Sequence, residues 1–313
     1  MPSPAPSSFS KSTNVRFNMA LMAATRPAFG LLASASPEWA ERWAERTFCR
    51  TPPAQEPSPR AKSVLSAAFR FEVESPRGKI AVWRWGRGPA VLLMHGWGGR
   101  ASQMTSFAAP LVAAGASAVA FDAPGHGASP GGSASLLSFA DALEAVAGVS
   151  GPILGVLGHS LGAAAASFAV GHRGLDVPRL ALVAPPSDPE RYFLEHLGRL
   201  GVEPARRSSL SRRLARRLGC TWGDFFVPAQ VRRFGRPVLV IHDREDRETS
   251  WHEGEAIARA SAQAALVTTS GLGHRRILRD GAVVEGVVSF FAAPLAGASA
   301  STLSTHSAAG GVQ

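Results

Sequence analysis

Two hydrophobic patterns alternate along most of this chain. From Phe71 onward, short apolar runs rich in β-formers recur at Ile80–Trp85, Ala90–Met94, Ala116–Phe121, Ile153–Leu157, Leu180–Ala184, Pro237–Ile241 and Ala264–Thr268. Between most of them lie stretches with apolar residues at helical spacing: Gln103–Ala114, Ser138–Ala147, Leu161–Ala169, Glu253–Ala260 and Ala282–Phe291. Runs such as Val91–Met94 and Val238–Ile241 are almost continuously apolar, which suits strands covered on both faces. Strand–helix alternation with short loops predicts an α/β fold, a mainly parallel sheet flanked by helices.

The alternation breaks once. From about residue 187 to 230 no strand pattern occurs and Arg-Leu helical patterning takes over, which predicts a helical insertion over one end of the sheet. Leu210, Leu214 and Leu218 stand at i, i+4 spacing and form one face of a helix, with Arg212, Arg213, Arg216 and Arg217 around the rest. Residues 1–60 read as an N-terminal extension. It has a loose Ser/Pro-rich start over 1–14, a short helix over Pro37–Phe48, and a proline linker from Thr51 to Pro59. Trp39 and Trp43 of that helix are expected to dock on the main domain. The main domain is expected over 61–295 and a flexible Ser/Ala/Gly tail over 296–313. Ala33-Ser34-Ala35 has the look of a signal-peptide cleavage site. Arg26-Pro27 interrupts the apolar stretch before it, so a cytoplasmic location is expected instead.

Composition narrows the chemistry. With 313 residues, 45% hydrophobic and 18% charged, the chain can bury a sizeable core. Its two cysteines, Cys49 and Cys220, fit neither a disulfide framework nor metal-ligand spacing. The net charge is +10, which raises nucleic acid as a partner. However, residues 187–236 alone hold eleven arginines against five acids, and the aromatic residues there are not interleaved with the arginines as a base-stacking surface would require. A local basic subdomain is the better reading; it leaves nucleic acid disfavoured and transient contact with a membrane surface open.

The strongest local signal is Gly158-His159-Ser160-Leu161-Gly162, placed between the Ile153–Leu157 strand and an alanine-rich helix. In that context G-x-S-x-G makes a sharp turn that lifts a serine hydroxyl above the sheet edge, at a helix N-terminus. A serine needs a base. Of nine histidines, His274 follows Gly271-Leu272-Gly273 directly after the last strand, at the sheet edge from which Ser160 emerges. His159 is expected to point away, and His172 and His196 to lie on helical surfaces. The acid that orients the base is expected in His242-Asp243-Arg244-Glu245-Asp246, where Asp246 is favoured over Asp243 because it lies far enough along the loop to turn back. The oxyanion needs two backbone donors. These are assigned to Leu161 N–H and Trp97 N–H, the second in the glycine-rich loop His95-Gly96-Trp97-Gly98-Gly99-Arg100, with His95 bracing that loop.

Four motifs in this order resemble the α/β-hydrolase superfamily: His95–Gly98, Asp122-Ala-Pro-Gly-His126-Gly-Ala-Ser129, Gly158–Gly162, and the Asp246/Gly273-His274 pair. The resemblance runs from about Phe71 to Ala293 and implies an α/β-hydrolase fold with a helical lid at 187–230 in its serine-nucleophile, esterase/lipase-like branch. It implies structural roles for Asp122, His126 and Ser129. The chain departs from the family at Asp243, where glycine is common. The expected activity is hydrolysis of a carboxylic ester or related acyl bond in a small-molecule substrate, through an acyl-enzyme and with no cofactor or metal. An acyltransferase, thioesterase or amidase with the same triad, or a ligand-binding receptor with vestigial hydrolysis, are the alternatives.

Overall fold

The protein is described here by a computed structural model covering residues 29–293, apart from 34 and 54. The loose start expected over 1–14, the signal-like segment up to residue 28 and the tail over 296–313 lie outside the described residues. The strands are β1 Phe69–Ser75, β2 Gly78–Trp85, β3 Ala90–Met94, β4 Ser117–Phe121, β5 Ile153–His159, β6 Leu180–Val183, β7 Val238–Asp243 and β8 Ala264–Thr269. They form one sheet in the spatial order β1-β2-β4-β3-β5-β6-β7-β8. β2 runs antiparallel to both neighbours, and every other neighbouring pair is parallel.

The central strands β3, β4 and β6 are buried at every residue, which is why their sequences show no alternation. Helices Leu136–Val149 and Leu161–Gly171 pack on one face, and Ala108–Ala113 and Gly281–Ala292 on the other. Two elements escape the sequence pattern. β1 buries only Val73, so its periodic signal is weak. The helix expected over Gln103–Ala114 is two 3₁₀ turns, Ala101–Gln103 and Thr105–Phe107, followed by Ala108–Ala113. Pro110 has no N–H to extend α-helical bonding backward, so it sits in the first turn of the short helix.

Between β6 and β7 the chain forms helices Pro189–Arg199, Pro204–Arg217 and Val227–Phe234. Buried Glu253 fastens the start of this insertion: it accepts from Ser187 N–H at 2.8 Å and Tyr192 Oη at 3.1 Å, and it pairs with Arg191. Within the main domain, the N-terminal helix Pro37–Cys49 packs on the insertion. Phe29, Ala40 and Ala44 share a cluster with Phe193, Leu197, Leu200, Val202 and Leu214 of the insertion. Trp43 stacks on Phe29 in that cluster, while Trp39 is 55% exposed. The arginine face of Pro204–Arg217 is correspondingly not all in water, since Arg213 pairs with Glu41 at 2.8 Å and Arg217 pairs with Glu45. His196, expected on the surface, is buried there and meets Thr47 Oγ1 at 3.0 Å. Burial lowers its pKa to about 4. Among the described residues, no helix is long and apolar enough to cross a membrane.

Candidate active site

Parallel strands deliver their C-terminal ends to one edge, so the loops after β3, β5, β7 and β8 meet there. Ser160 follows β5 with φ 52 and ψ −123, a strained backbone for a residue with a side chain. Its N–H donates to Val183 O at 3.0 Å, and its carbonyl accepts from Ala163 N–H at 2.9 Å. The flanking glycines are forced by space. A Cβ on Gly158 would lie 2.6 Å from Ala163 Cα, and one on Gly162 2.3 Å from His95 O. Gly96 presses so closely on the elbow that a Cβ there would stand 2.8 Å from Ser160 Cβ. Trp97 N–H follows that contact, and Leu161 N–H heads the helix after Ser160. Among the described residues, neither amide has a hydrogen-bond partner.

The base and acid assigned from sequence are in contact. His274 Nδ1 lies 2.8 Å from Asp246 Oδ2, and both side chains are almost fully buried. Asp246 Oδ1 accepts from the N–H groups of Glu248 at 2.8 Å and Thr249 at 3.0 Å. Oδ2 also accepts from Thr249 Oγ1 at 3.0 Å and faces His242 Nε2 at 3.4 Å. Burial alone would raise the Asp246 pKa, but the bonds from His242 and His274, the charge of His274 and the Thr249 amide together hold it far below the usual carboxylate range. Asp243, the competing acid, points elsewhere. Its Oδ2 accepts from Thr269 Oγ1 at 2.7 Å and Leu272 N–H at 3.0 Å, and its Oδ1 from Glu245 N–H at 3.0 Å. It therefore braces the loop that carries His274.

Among the described residues, no hydrogen bond joins Ser160 Oγ to His274 Nε2, which instead lies 3.8 Å from Glu248 Oε2. Such bonds are commonly long before substrate arrives. His159, expected to point away, links the two loops: its Nε2 donates to His274 O at 2.9 Å and the two rings lie 4.8 Å apart. Burial pushes the His159 pKa down to about 3, as it does for His95, so both rings are neutral at pH 7. His95 Nε2 accepts from Ala123 N–H at 3.0 Å and so ties the loop after β3 to the loop after β4. The Asp122 motif is a hydrogen-bonded knot. Asp122 accepts from Ala101 and Ala128 N–H at 2.6 and 2.7 Å, and Ser129 Oγ donates to Asp122 O at 2.6 Å. His126 Nε2 accepts from Gly98 N–H at 3.0 Å.

A family described as serine aminopeptidase, S33, matches residues 88–248, just over half of the chain. The chain belongs to that family of α/β hydrolases. Among solved structures, this hydrolase is similar to the thioesterase domain from the curacin biosynthetic pathway. Identity is 22%, the TM-score 0.54, and coverage 72% of this chain and 99% of that one. An esterase from Pyrococcus furiosus is similar at 17% identity with TM-score 0.57, over 77% and 98% of the two chains. An esterase from Exiguobacterium antarcticum gives 16% and 0.55, over 72% and 100%. At such identities the likeness carries the fold. No curated protein matches the hydrolase.

Sequence reasoning missed His242 and Thr249. His242 is fully buried at the end of β7, Gly254 packs on its ring, and its Nδ1 has no partner among the described residues. The proton therefore belongs on Nε2, shared between Thr249 O at 3.1 Å and Asp246 Oδ2 at 3.4 Å. The sequence signal for His242 is a polar residue next to the end of an apolar strand. Replacing His242 by leucine should lower kcat by about tenfold, the scale of one lost hydrogen bond to a charged group, while His242→Gln retains most of it. Steady-state kinetics beside circular dichroism would check this, and equal rates for wild type and leucine variant would refute it.

Proposed function

We propose that this hydrolase cleaves a carboxylic ester or related acyl bond through an acyl-enzyme on Ser160. Ser160 Oγ attacks the acyl carbon as His274 Nε2 takes its proton. The acyl–oxygen bond then breaks, and the imidazolium returns the proton to the departing alkoxide. Water repeats the sequence in the second half: His274 deprotonates it, it attacks the acyl carbon, and Ser160 leaves with the proton restored. Asp246 holds His274 in the tautomer whose free Nε2 faces substrate, and the amides of Trp97 and Leu161 receive the charge on the carbonyl oxygen.

The observation that carries this reading is the 2.8 Å contact between Asp246 Oδ2 and buried His274 Nδ1, on the sheet edge that presents the strained Ser160. The substrate is read as an ester with a small or medium apolar acyl group, and the inserted helices as a lid over the site. A panel of p-nitrophenyl esters of increasing chain length tests it. Turnover should be highest for short to medium chains. No turnover of any ester and no labelling by a fluorophosphonate would refute the reading. Faster release of p-nitrophenol with an added alcohol would instead indicate acyl transfer.

A further inference from the structure

Glycine gives a loop the freedom to approach substrate, and the same freedom makes it a poor support for a preorganised donor. The loop after β3 carries Gly96, Gly98 and Gly99 around Trp97. From within, it is braced by Gly99 N–H and His95 Nδ1, which donate to Gly96 O at 3.0 and 2.7 Å; from the loop after β4, by His126, which accepts from Gly98 N–H at 3.0 Å and meets the Trp97 ring at 5.4 Å. A further contact comes from far away in the chain. Gly98, at φ 65, faces the ring of Pro52 so closely that a Cβ there would stand 2.9 Å from Pro52 Cγ.

The segment that brings Pro52 there is not the free linker its prolines suggest. Arg50 forms a β-bridge with Ser133. Ala134 N–H donates to Cys49 O at 2.8 Å, and Thr51 N–H donates to Gly132 O at 3.1 Å. The Thr51 side chain faces Gly125, where a Cβ would stand 3.1 Å from Cγ2. Upstream, the strap continues into helix Pro37–Cys49. That helix is fixed to the insertion by the Glu41–Arg213 and Glu45–Arg217 pairs, the Thr47–His196 contact and the Phe48–Phe193 ring pair at 5.1 Å. Both ends of the strap are therefore held, one by the insertion and the other by the loop 125–134. The strap lies outside the span matched by the family.

We propose that Thr51 and Pro52 are positioning residues of the reaction. Pro52 bears on Gly98 from outside while Thr51 fastens the strap to the loop 125–134, and together they hold the Trp97 amide where the oxyanion forms. The N-terminal extension then serves the chemistry as well as packing. This rests on reading Ser160 as the nucleophile.

The test uses full-length Pro52→Gly, which keeps the backbone path and removes the ring from Gly98. Its kcat on a short ester should fall by about tenfold, with KM within about twofold, because a misplaced oxyanion donor acts on the transition state alone. The melting temperature should stay near wild type, Pro52→Val should recover most of the rate, and amide hydrogen exchange over residues 95–100 should quicken in Pro52→Gly. Unchanged kcat with unchanged exchange would overturn the proposal, as would a rise in KM at constant kcat. If the wild type neither turns over esters nor labels, the proposed function fails on its own. The exchange measurement still decides whether the strap holds the loop.

Discussion

Replacing Ser160 by alanine should abolish labelling by a fluorophosphonate and reduce ester turnover on the order of 10⁶-fold, the scale seen when a nucleophile is deleted from a working triad. The fold should survive. Alanine carries the same Cβ as serine, so the strain at φ 52 is no greater, and among the described residues Oγ makes no hydrogen bond that would be lost. The melting temperature should match wild type or rise slightly, since active sites keep groups that serve function over stability. Mass spectrometry of the labelled protein and a thermal melt would check both halves. Residual labelling at another residue, or turnover near the wild-type rate, would remove Ser160 from the mechanism.

The site and the fold were legible in the sequence to different depths. The buried parallel strands announce themselves as unbroken apolar runs, and β3 begins and ends where its run does. The elbow is legible because steric pressure leaves only glycine at 158 and 162. What sequence conceals is anything set by long-range partners. β1 is held by pairing with β2 and shows one buried residue, so no alternation betrays it. The arginines of Pro204–Arg217 look like a solvated face, yet two of them meet acids contributed from over 160 residues earlier in the chain. Pro52 reads as linker punctuation and lies against Gly98. His159 closes β5 and His242 precedes Asp243 at the end of β7, and only the packed loops show what they touch.

The second large effect is expected at the acid. Asp246→Asn should keep the loop, because an amide oxygen can still accept from the N–H groups of Glu248 and Thr249. Its NH₂ group, however, would face His274 Nδ1, which must then accept, and the proton moves to Nε2, where it blocks attack. Loss of kcat should be on the order of 10³–10⁴-fold, by the logic of the same change in a known triad. Asp243→Asn should cost tenfold or less, roughly, because Asp243 acts through Thr269 and Leu272 and not through the imidazole. Stability should separate the variants from pH as well. The Asp246 carboxyl is held well below its unfolded value, against burial, by His242, His274 and the Thr249 amide. Its ionised form therefore contributes stability fully above the unfolded pKa of about 4, and that contribution is lost as pH falls through the folded value. The melting-temperature deficit of Asp246→Asn should be full at neutral pH and shrink below about pH 4. A deficit that grows on acidification would mean that the charge of Asp246 is not what the surrounding donors stabilise. A larger rate loss for Asp243→Asn than for Asp246→Asn would give the orienting role to Asp243, against the 2.8 Å contact between Asp246 and His274.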